Sequence, residues 1–414
     1  MTNLQVAMWS VEKLIPYARN ARTHSDDQIA QVAASIKEFG WTSPILVGAD
    51  GVIIAGHARL AAARRLGMLE VPVIVLGHLT EAQRRALVLA DNKLALNAGW
   101  DEEMLRIELQ DLEVSGFNLD LIGFSTAELE SLMAGDVAEG LTDEDGVPEV
   151  QVAVVTVQGD LWILGDHRLL CGDATILADV EKVLDGGLAD MVFCDPPYNV
   201  NYGATMKDKL RGTNRTIAND NLGAEFAQFL LDACTQMVAV CKGGIYICMS
   251  SSEMATLQTA FRAAGGHWST FVIWAKNTFT MGRSDYQRQY EPILYGWKEG
   301  VDHFWCGARN QGDVWAIAKP HVNDLHPTMK PVELVERAVR NSSKTRDTIL
   351  DPFGGSGTTV IACEKAGRQA RVMELDPKYC DVIVRRWQAF AGGVAVLEGT
   401  SESFDAIAAQ RVAA

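Results

Sequence analysis

The fold of this chain is decided by a short apolar run that ends in a proline-rich turn, Met191-Val192-Phe193-Cys194-Asp195-Pro196-Pro197-Tyr198. The apolar run predicts a buried strand, and the two prolines fix the backbone behind it and remove two amide donors. Ligands of open α/β sheets bind beyond the carboxyl ends of the strands. We therefore predict a catalytic site at Asp195, Pro196, Pro197 and Tyr198, in which a carboxylate and a free carbonyl accept hydrogen bonds beside an aromatic face. A proline-stiffened strand end with a partly buried tyrosine is the alternative.

A second landmark, Asp351-Pro352-Phe353-Gly354-Gly355-Ser356-Gly357, lies far downstream. A predicted strand gives way there to glycines and then to a helix, and such a turn lets a ligand approach the backbone and the free amides of the helix start. Glu374 ends the next predicted strand, the position of the acidic residue that binds a ribose hydroxyl in dinucleotide-binding folds. The glycines do not fit G-x-G-x-x-G, which disfavours a nicotinamide cofactor.

Together the two landmarks resemble the DNA amino-methyltransferases, in the permuted order called the β class, where the catalytic turn precedes the cofactor glycines. Asp173, in Cys171-Gly172-Asp173-Ala174, and the segment His326-Pro327-Thr328-Met329-Lys330-Pro331 add to the resemblance, although Met329 replaces the family's usual Gln. The resemblance implies S-adenosylmethionine as cofactor and double-stranded DNA as partner, with no metal site. The implied cofactor-binding residues are Asp173, Thr328, Lys330, Asp351, Phe353, Gly354, Gly355, Ser356, Gly357 and Glu374.

The resemblance implies an α/β fold: a Rossmann-like, S-adenosylmethionine-dependent methyltransferase domain over residues 151–400. Its implied reaction is methyl transfer to the exocyclic amine of a base that has been flipped out of the duplex. Asp at the start of the turn favours adenine N6, and cytosine N4 is the alternative. Methylation of RNA or of protein glutamine uses related turns and is disfavoured, because those enzymes usually carry the cofactor glycines first.

Candidate DNA contacts come from basic residues near these motifs. The net charge of −16 argues against a protein that simply coats DNA, but a local basic loop can still bind phosphates. The family usually builds target recognition between the catalytic and cofactor parts, here about residues 276–325. The predicted DNA-binding residues are Lys207, Lys209, Arg211, Arg215, Arg283 and Arg288.

Residues 1–80 predict a small α/β domain that resembles the N-terminal domain of ParB-type partition proteins. Gly56, His57 and Arg59 correspond to that superfamily's glycine-rich box, which either holds a phosphate or forms a structural strand-to-helix turn. Sulfiredoxins share the fold but need a cysteine in the box, and the first cysteine here is Cys171. Residues 81–135 are predicted as a helical connector and 136–150 as an acidic linker. The apolar pattern also predicts helices, among them one that starts at Ser25 and ends at Gly40 and one over 377–390, and strands, among them 188–194, 270–275, 348–350 and 369–374.

The remaining features concern compartment and partners. Eight scattered cysteines without metal-ligand spacing fit free thiols in a reducing cytoplasm, and no apolar run is long enough to span a bilayer. Relatives suggest a homodimer and a cognate restriction endonuclease as further partners. The rival hypothesis is a ParB-like DNA-binding regulator whose methylase half is inactive.

Overall fold

The computed structural model describes residues 4–95, 97–126, 128–129, 132, 140–200, 219–280, 285–307, 311–319 and 329–412. Two compact units make up the chain, Met1–Gly135 and Asp136–Ala414. Each has its own buried apolar clusters. None of the helices within the described ranges is long and apolar enough to cross a membrane.

The first unit is a four-stranded sheet with helices. Its strands are β1 (Val6–Ser10), β2 (Ile45–Val47), β3 (Ile53–Ala55) and β4 (Glu70–Val75), in the spatial order β1-β4-β2-β3. Its helices are α1 (Asp26–Phe39), α2 (His57–Arg65), α3 (Glu81–Ala95) and α4 (Glu102–Val114), with short 3-10 turns at Val11–Lys13 and Leu119–Ile122. The Ser25 hydroxyl caps α1 by accepting from the Gln28 amide at 3.2 Å, and Gly40 ends the helix, as its sequence predicts.

The second unit is built on a ten-stranded sheet. The strands are β5 (Leu161–Leu164), β6 (His167–Cys171), β7 (Met191–Cys194), β8 (Ile245–Cys248), β9 (Gly266–Thr280), β10 (Arg288–Lys298), β11 (Val314–Ala316), β12 (Thr348–Asp351), β13 (Gln369–Glu374) and β14 (Val396–Leu397). The helices are α5 (Leu177–Val183), α6 (Phe226–Val240), α7 (Met254–Ala263), α8 (Val332–Ser342), α9 (Thr358–Ala366), α10 (Pro377–Ala391) and α11 (Phe404–Val412), with a 3-10 turn at Gly223–Glu225.

Helices cover both faces of this sheet. The spatial order is β11-β9-β10-β8-β7-β12-β13-β6-β5-β14, and the five central strands β8, β7, β12, β13 and β6 run parallel. One core cluster joins one face of the sheet to residues of α8 to α11, and the other joins the opposite face to residues of α5 to α7. This is the doubly covered α/β arrangement that the sequence predicts, and it aligns the carboxyl ends of neighbouring parallel strands.

Several elements differ from the sequence-based expectation. Strand β10 and the β5–β6 hairpin were not predicted, and β9 is much longer than the expected 270–275. Residues 276–280 and 288–298, assigned to a target-recognition region, are strands of the central sheet. The chain after Gly399, which gave no clear prediction, contains α11.

The described part of the predicted acidic linker packs on the second unit. The Leu141 amide donates to the Phe390 carbonyl at 2.8 Å, and the Val332 amide donates to the Asp145 carboxylate at 2.9 Å. Glu144 forms an ion pair with Lys365. Glu144 and Asp145 therefore bind groups on helices α8 to α10.

Candidate active site

Four acidic residues lie at the carboxyl ends of four adjacent parallel strands. Asp195 follows β7, Asp351 ends β12, Glu374 ends β13 and Asp173 follows β6. All four line one cavity of about 440 Å³, within the range of roughly 300–1,000 Å³ that small-molecule sites occupy. The cavity also contains Pro196, Pro197, Tyr198, Phe353, Gly354, Gly355 and Ser356. Residues about 150 positions apart thus meet at one edge of the sheet.

The turn at 195–198 is held by hydrogen bonds to the side chains of Asp195 and Asp220. The Tyr198 hydroxyl donates to Asp195 Oδ1 at 2.6 Å, and the Tyr198 amide donates to Asp220 Oδ1 at 3.2 Å. Burial raises the pKa of Asp195, the Lys330 ammonium lowers it and the Glu291 carboxylate raises it, with a net increase. Burial raises the pKa of Tyr198 well above its ordinary value, so this hydroxyl remains a donor at neutral pH.

A network of buried charges supports the turn. The Lys330 ammonium, 6% exposed, lies 2.7 Å from Asp195 Oδ2 and 3.1 Å from Glu291 Oε2, and Lys276 binds the other oxygen of Glu291. Lys330 also lies 5.2 Å from the Tyr198 ring centroid, a cation–π distance. Lys330 was predicted as a cofactor-binding residue, and in the structure its ammonium contacts the Asp195 carboxylate.

The glycine turn is shaped by close contacts with β13. A Cβ atom on Gly354 would lie 2.4 Å from Val372 Cγ1, and the Gly354 amide donates to the Met373 carbonyl at 2.7 Å. Gly355 has a φ of 51°, which favours glycine, and its amide donates to Glu374 Oε2 at 2.8 Å. The turn and Glu374 therefore form one preorganised unit.

The remaining acids of the cavity have ordered hydrogen bonds. Glu374 Oε1 accepts from the Asp376 amide at 2.9 Å, and Asp351 accepts from the Phe353 amide at 3.0 Å and the Thr359 hydroxyl at 2.5 Å. Asp173 Oδ1 accepts from the Thr175 amide and hydroxyl at 2.9 and 2.8 Å. Burial raises the pKa of both Asp351 and Glu374 to about 7.

These residues fit a nucleoside-like cofactor. Each carboxylate oxygen of Glu374 accepts one amide and has a further lone pair, so the group can accept ribose hydroxyls. Gly354 and Gly355 keep the cavity wall free of side chains, and Phe353 adds an apolar surface. Thr328, the other predicted contact in this part, lies outside the described residues.

The residues of the predicted glycine-rich box, Gly56, His57 and Arg59, make contacts within the first unit. Gly56, with a φ of 102°, precedes α2, and His57 Nε2 accepts from the Tyr17 amide at 3.1 Å. Arg59 donates to the carbonyls of Ser43 and Pro44 at 2.5 and 2.7 Å. Burial, followed by repulsion from His24, lowers the pKa of His57. The described geometry is that of a strand-to-helix turn stabilised by its own side chains.

Family models match most of the chain. The N6/N4 DNA methylase model matches residues 189–385, which include the catalytic turn and the glycine turn of the cavity. The chain contains a DNA methylase domain of this family. The ParB N-terminal domain model matches residues 2–93, and the model of a helix-turn-helix domain of ParB-methyltransferases matches 103–158. Methylases of this family use S-adenosylmethionine, which agrees with the resemblance noted in the sequence.

Individual relatives cover the two parts separately. The ParB-like nuclease domain-containing protein YnaK of Escherichia coli is 52% identical over 82 residues, 20% of this chain and 94% of YnaK. The type II methyltransferase M.HpaI of Haemophilus parainfluenzae is 25% identical and covers 53% of this chain and 74% of its own length. The DNA adenine methyltransferase YhdJ of Escherichia coli is 25% identical, covering 53% of this chain and 81% of YhdJ. Among solved structures, the M1.HpyAVI–SAM complex is 21% identical with a TM-score of 0.41, covering 53% of this chain and 97% of that chain.

The DNA contacts predicted for this methylase are only partly described. Lys207, Lys209, Arg211, Arg215 and Arg283 lie outside the described residues. Arg288 begins β10 and lies 3.4 Å from the Ser250 hydroxyl, and it does not line the cavity.

Three residues near the cavity carry no signal in the sequence. Glu291 and Lys276 lie on β10 and β9 without any motif around them. Arg386 is 3% exposed and donates to the Ser356 carbonyl at 3.0 Å and the Glu144 carbonyl at 2.7 Å, so it fixes the back of the glycine turn. Because an arginine on a helix is usually exposed to solvent, the sequence does not indicate that Arg386 is buried.

Proposed function

We propose that this chain is a site-specific DNA methyltransferase that transfers the methyl group of S-adenosylmethionine to N6 of adenine after base flipping. The observation that carries the proposal is the single cavity lined by both Asp195 and the Gly354–Gly355 turn. S-adenosylmethionine, when bound, supplies a methyl group made electrophilic by its sulfonium. The protein then has to orient the amine, because an adenine amino group is a weak nucleophile whose lone pair is delocalised into the ring.

The catalytic turn provides that orientation. The Asp195 carboxylate and the Pro196 carbonyl accept hydrogen bonds from the two amino N–H groups, which turns the lone pair toward the methyl donor. The amine loses one of these protons, to the Asp195 carboxylate or to solvent, as it gains the methyl group. Tyr198 stacks on the extruded base, a contact worth about 1–3 kcal/mol in single-strand complexes. That gain offsets much of the flipping cost of a few kcal/mol. In this mechanism no covalent intermediate forms on the protein.

The residues at the other end of the cavity are assigned to cofactor binding. We assign Glu374 to the ribose hydroxyls, Asp173 to the adenine of the cofactor, and the glycine turn to its methionine part. Lys330 belongs with the catalytic turn in this proposal, because its ammonium contacts Asp195. Asp351 supports the turn through the Phe353 amide and the Thr359 hydroxyl.

Adenine is proposed over cytosine on two grounds. The turn begins with Asp195, whereas cytosine-directed relatives more often begin it with Ser, and the relative YhdJ is a DNA adenine methyltransferase. N4 of cytosine is the second candidate, since its amine presents the same two protons.

The rest of the chain is assigned to DNA selection. We propose that the ParB domain and the helices that follow it bind double-stranded DNA, and that residues 276–325 contribute to target recognition. A homodimer and a cognate restriction endonuclease are proposed partners. A cytoplasmic location is supported by the eight buried, free cysteines.

Methylation-sensitive sequencing of DNA from cells that express the chain tests this function. The expected result is N6-methyladenine at one short recurrent sequence, absent from cells that carry the empty vector. N4-methylcytosine at such a sequence would select the alternative base. DNA without any new methylation would favour a ParB-like regulator with an inactive methylase half.

A further inference from the structure

Both oxygens of the Asp195 carboxylate already accept one hydrogen bond each. Asp195 Oδ1 accepts from the Tyr198 hydroxyl at 2.6 Å, and Oδ2 accepts from the Lys330 ammonium at 2.7 Å. Each oxygen keeps a second lone pair, so a target amine can donate to Asp195, but it competes there with two donors that are already in place. A donor that gives way to the amine needs another acceptor within reach, and Lys330 needs one most, because an unpaired buried ammonium is strongly unfavourable.

A single oxygen of Glu291 can serve as that acceptor for either donor. Its Oε2 lies 3.3 Å from the Tyr198 hydroxyl and 3.1 Å from the Lys330 ammonium, the same two groups that occupy Asp195. Its Oε1 is held by Lys276, which fixes the carboxylate in the cavity wall. Burial raises the pKa of Glu291, but the ammonium groups of Lys330 and Lys276 bring it down to about 2, so the group is charged at any working pH.

We propose that Glu291 is a positioning residue that takes over the Tyr198 hydroxyl and the Lys330 ammonium when the target amine binds Asp195. The inference rests on the proposed function and adds a step to it. Lys330 keeps an ionic partner throughout, and the amine meets less competition for the Asp195 carboxylate when it arrives. Lys276 acts indirectly, by keeping Glu291 in place.

The charges around Asp195 give this role a measurable signature. The titratable groups that interact with the carboxylate are Cys194, Tyr198, Cys248, Glu291, Lys330 and Asp351, and Lys276 and Lys319 line the same cavity. Removing the negative charge of Glu291 takes away a repulsion that raises the pKa of Asp195. The acid limb of the pH–rate profile should therefore move to lower pH, a shift that loss of packing alone does not produce.

Single-turnover methyl transfer from pre-bound S-adenosylmethionine to unmethylated genomic DNA tests the inference. Glu291→Gln keeps the shape and removes the charge, and we expect its rate to fall at least about tenfold, or roughly 1.4 kcal/mol. Its affinity for S-adenosylmethionine should stay within about twofold of wild type, since Glu291 lies at the catalytic end. Glu299→Gln, on an exposed side chain just beyond β10, is the matched control.

A Glu291→Gln rate within about twofold of wild type, or a loss confined to KM for DNA with kcat unchanged, overturns the inference. If Glu291→Gln fails to bind S-adenosylmethionine and is therefore misfolded, Lys276→Met takes its place. We expect that variant to lose about threefold or more in rate with its cofactor affinity retained, and an unchanged rate overturns the inference. A wild-type protein that transfers no methyl group contradicts the proposed function itself, whereas an active wild type with an unaffected Glu291→Gln contradicts only the role of Glu291.

Discussion

The Asp195 carboxylate lies between the buried Lys330 ammonium and the half-buried Tyr198 hydroxyl, and this placement supports the role proposed for it. The Lys330 ammonium counteracts the effect of burial on its pKa, so that it can accept a hydrogen bond from an amine. The prolines that follow leave a carbonyl beside it. The Asp195 carboxylate and the Pro196 carbonyl can together orient an amine, and this chemistry needs no nucleophilic side chain.

Replacing this carboxylate should separate chemistry from cofactor binding. We expect Asp195→Ala to lower methyl transfer at least about a hundredfold, the effect of losing one preorganised electrostatic contact. Lys330 keeps Glu291 as a partner in the variant, so the fold and cofactor affinity should be retained. Labelled-methyl transfer and titration calorimetry measure the two quantities, with Asp302→Ala on the surface as control. Wild-type turnover in Asp195→Ala would refute the assigned role.

Glu374 should make cofactor binding depend on pH. Burial raises its pKa to about 7 in the protein without cofactor, and hydrogen bonds from ribose hydroxyls favour the ionised form. Protonation therefore competes with binding below pH 7, and affinity should rise as pH rises through 7. We expect the affinity ratio of wild type to Glu374→Gln to grow about tenfold between pH 6 and pH 8. A ratio that calorimetry finds constant over this range would exclude Glu374 as the linked group.

At the scale of single residues, the residues within motifs could be predicted from the sequence, but the residues that contact them could not. Asp195, Glu374 and the glycines follow predicted strands, and strand ends fix their location. Glu291 reaches Lys330 only because β10 pairs with β8 and β9 in one register, with Glu291 opposite Trp274. Such a partnership between distant strands leaves no local pattern in the sequence.

At the scale of elements, β12, the glycine turn and α9 form one continuous segment beside the cavity. Its backbone lies against β13, where the Gly354 amide donates to the Met373 carbonyl. Arg386 on α10 holds the Ser356 carbonyl from behind. The turn is thus fixed from two sides before any ligand binds.

A methyl group added at Gly354 should disturb this packing. Its Cβ would lie 2.4 Å from Val372 Cγ1 and 3.1 Å from the Met373 carbonyl oxygen. We expect Gly354→Ala to lower the free energy of unfolding by about 1–3 kcal/mol and to weaken cofactor binding. Gly312→Ala, which meets no atom within 4 Å, should have little effect. Urea unfolding compares the two variants, and equal stabilities would contradict the close approach.

Helices were predicted better than strands, for a physical reason. Helices such as α1 and α10 carry a local period and a capping side chain, Ser25 and Asp376 respectively. Strand β10 contains Pro292 and Gly296, which disfavour a strand assignment, and it forms through pairing on both sides. The β5–β6 hairpin, which was not predicted, does have a signal in the sequence: Gly165-Asp166 lies between two apolar runs.

At the scale of the molecule, the chain joins a ParB domain to a methylase domain. The two compact units have separate cores, one around Ile45, Ile53 and Val73 and the others around the large sheet. The order of the motifs along the chain was sufficient to predict the methylase, since sheet topology brings the ends of β7 and β12 together. The acidic segment that was assigned to a linker contacts the second unit through Glu144 and Asp145.

Separate cores predict separate unfolding transitions. We expect two steps in a calorimetric scan, and S-adenosylmethionine should shift only the one that belongs to the second unit, by up to about 2.7 kcal/mol of added stability at a hundredfold excess over Kd. The Glu374→Gln variant, with weakened binding, provides the control. A single transition that moves as a whole would show that the units unfold together.

The most direct test of the central claim is mass spectrometry of nucleosides from unmethylated DNA incubated with the purified protein and methyl-deuterated S-adenosylmethionine. We predict deuterated N6-methyl-2′-deoxyadenosine with the wild-type protein and none with Asp195→Ala. The absence of any deuterated nucleoside, or equal amounts from both proteins, would contradict methyl transfer in the cavity that Asp195 shares with the glycine turn.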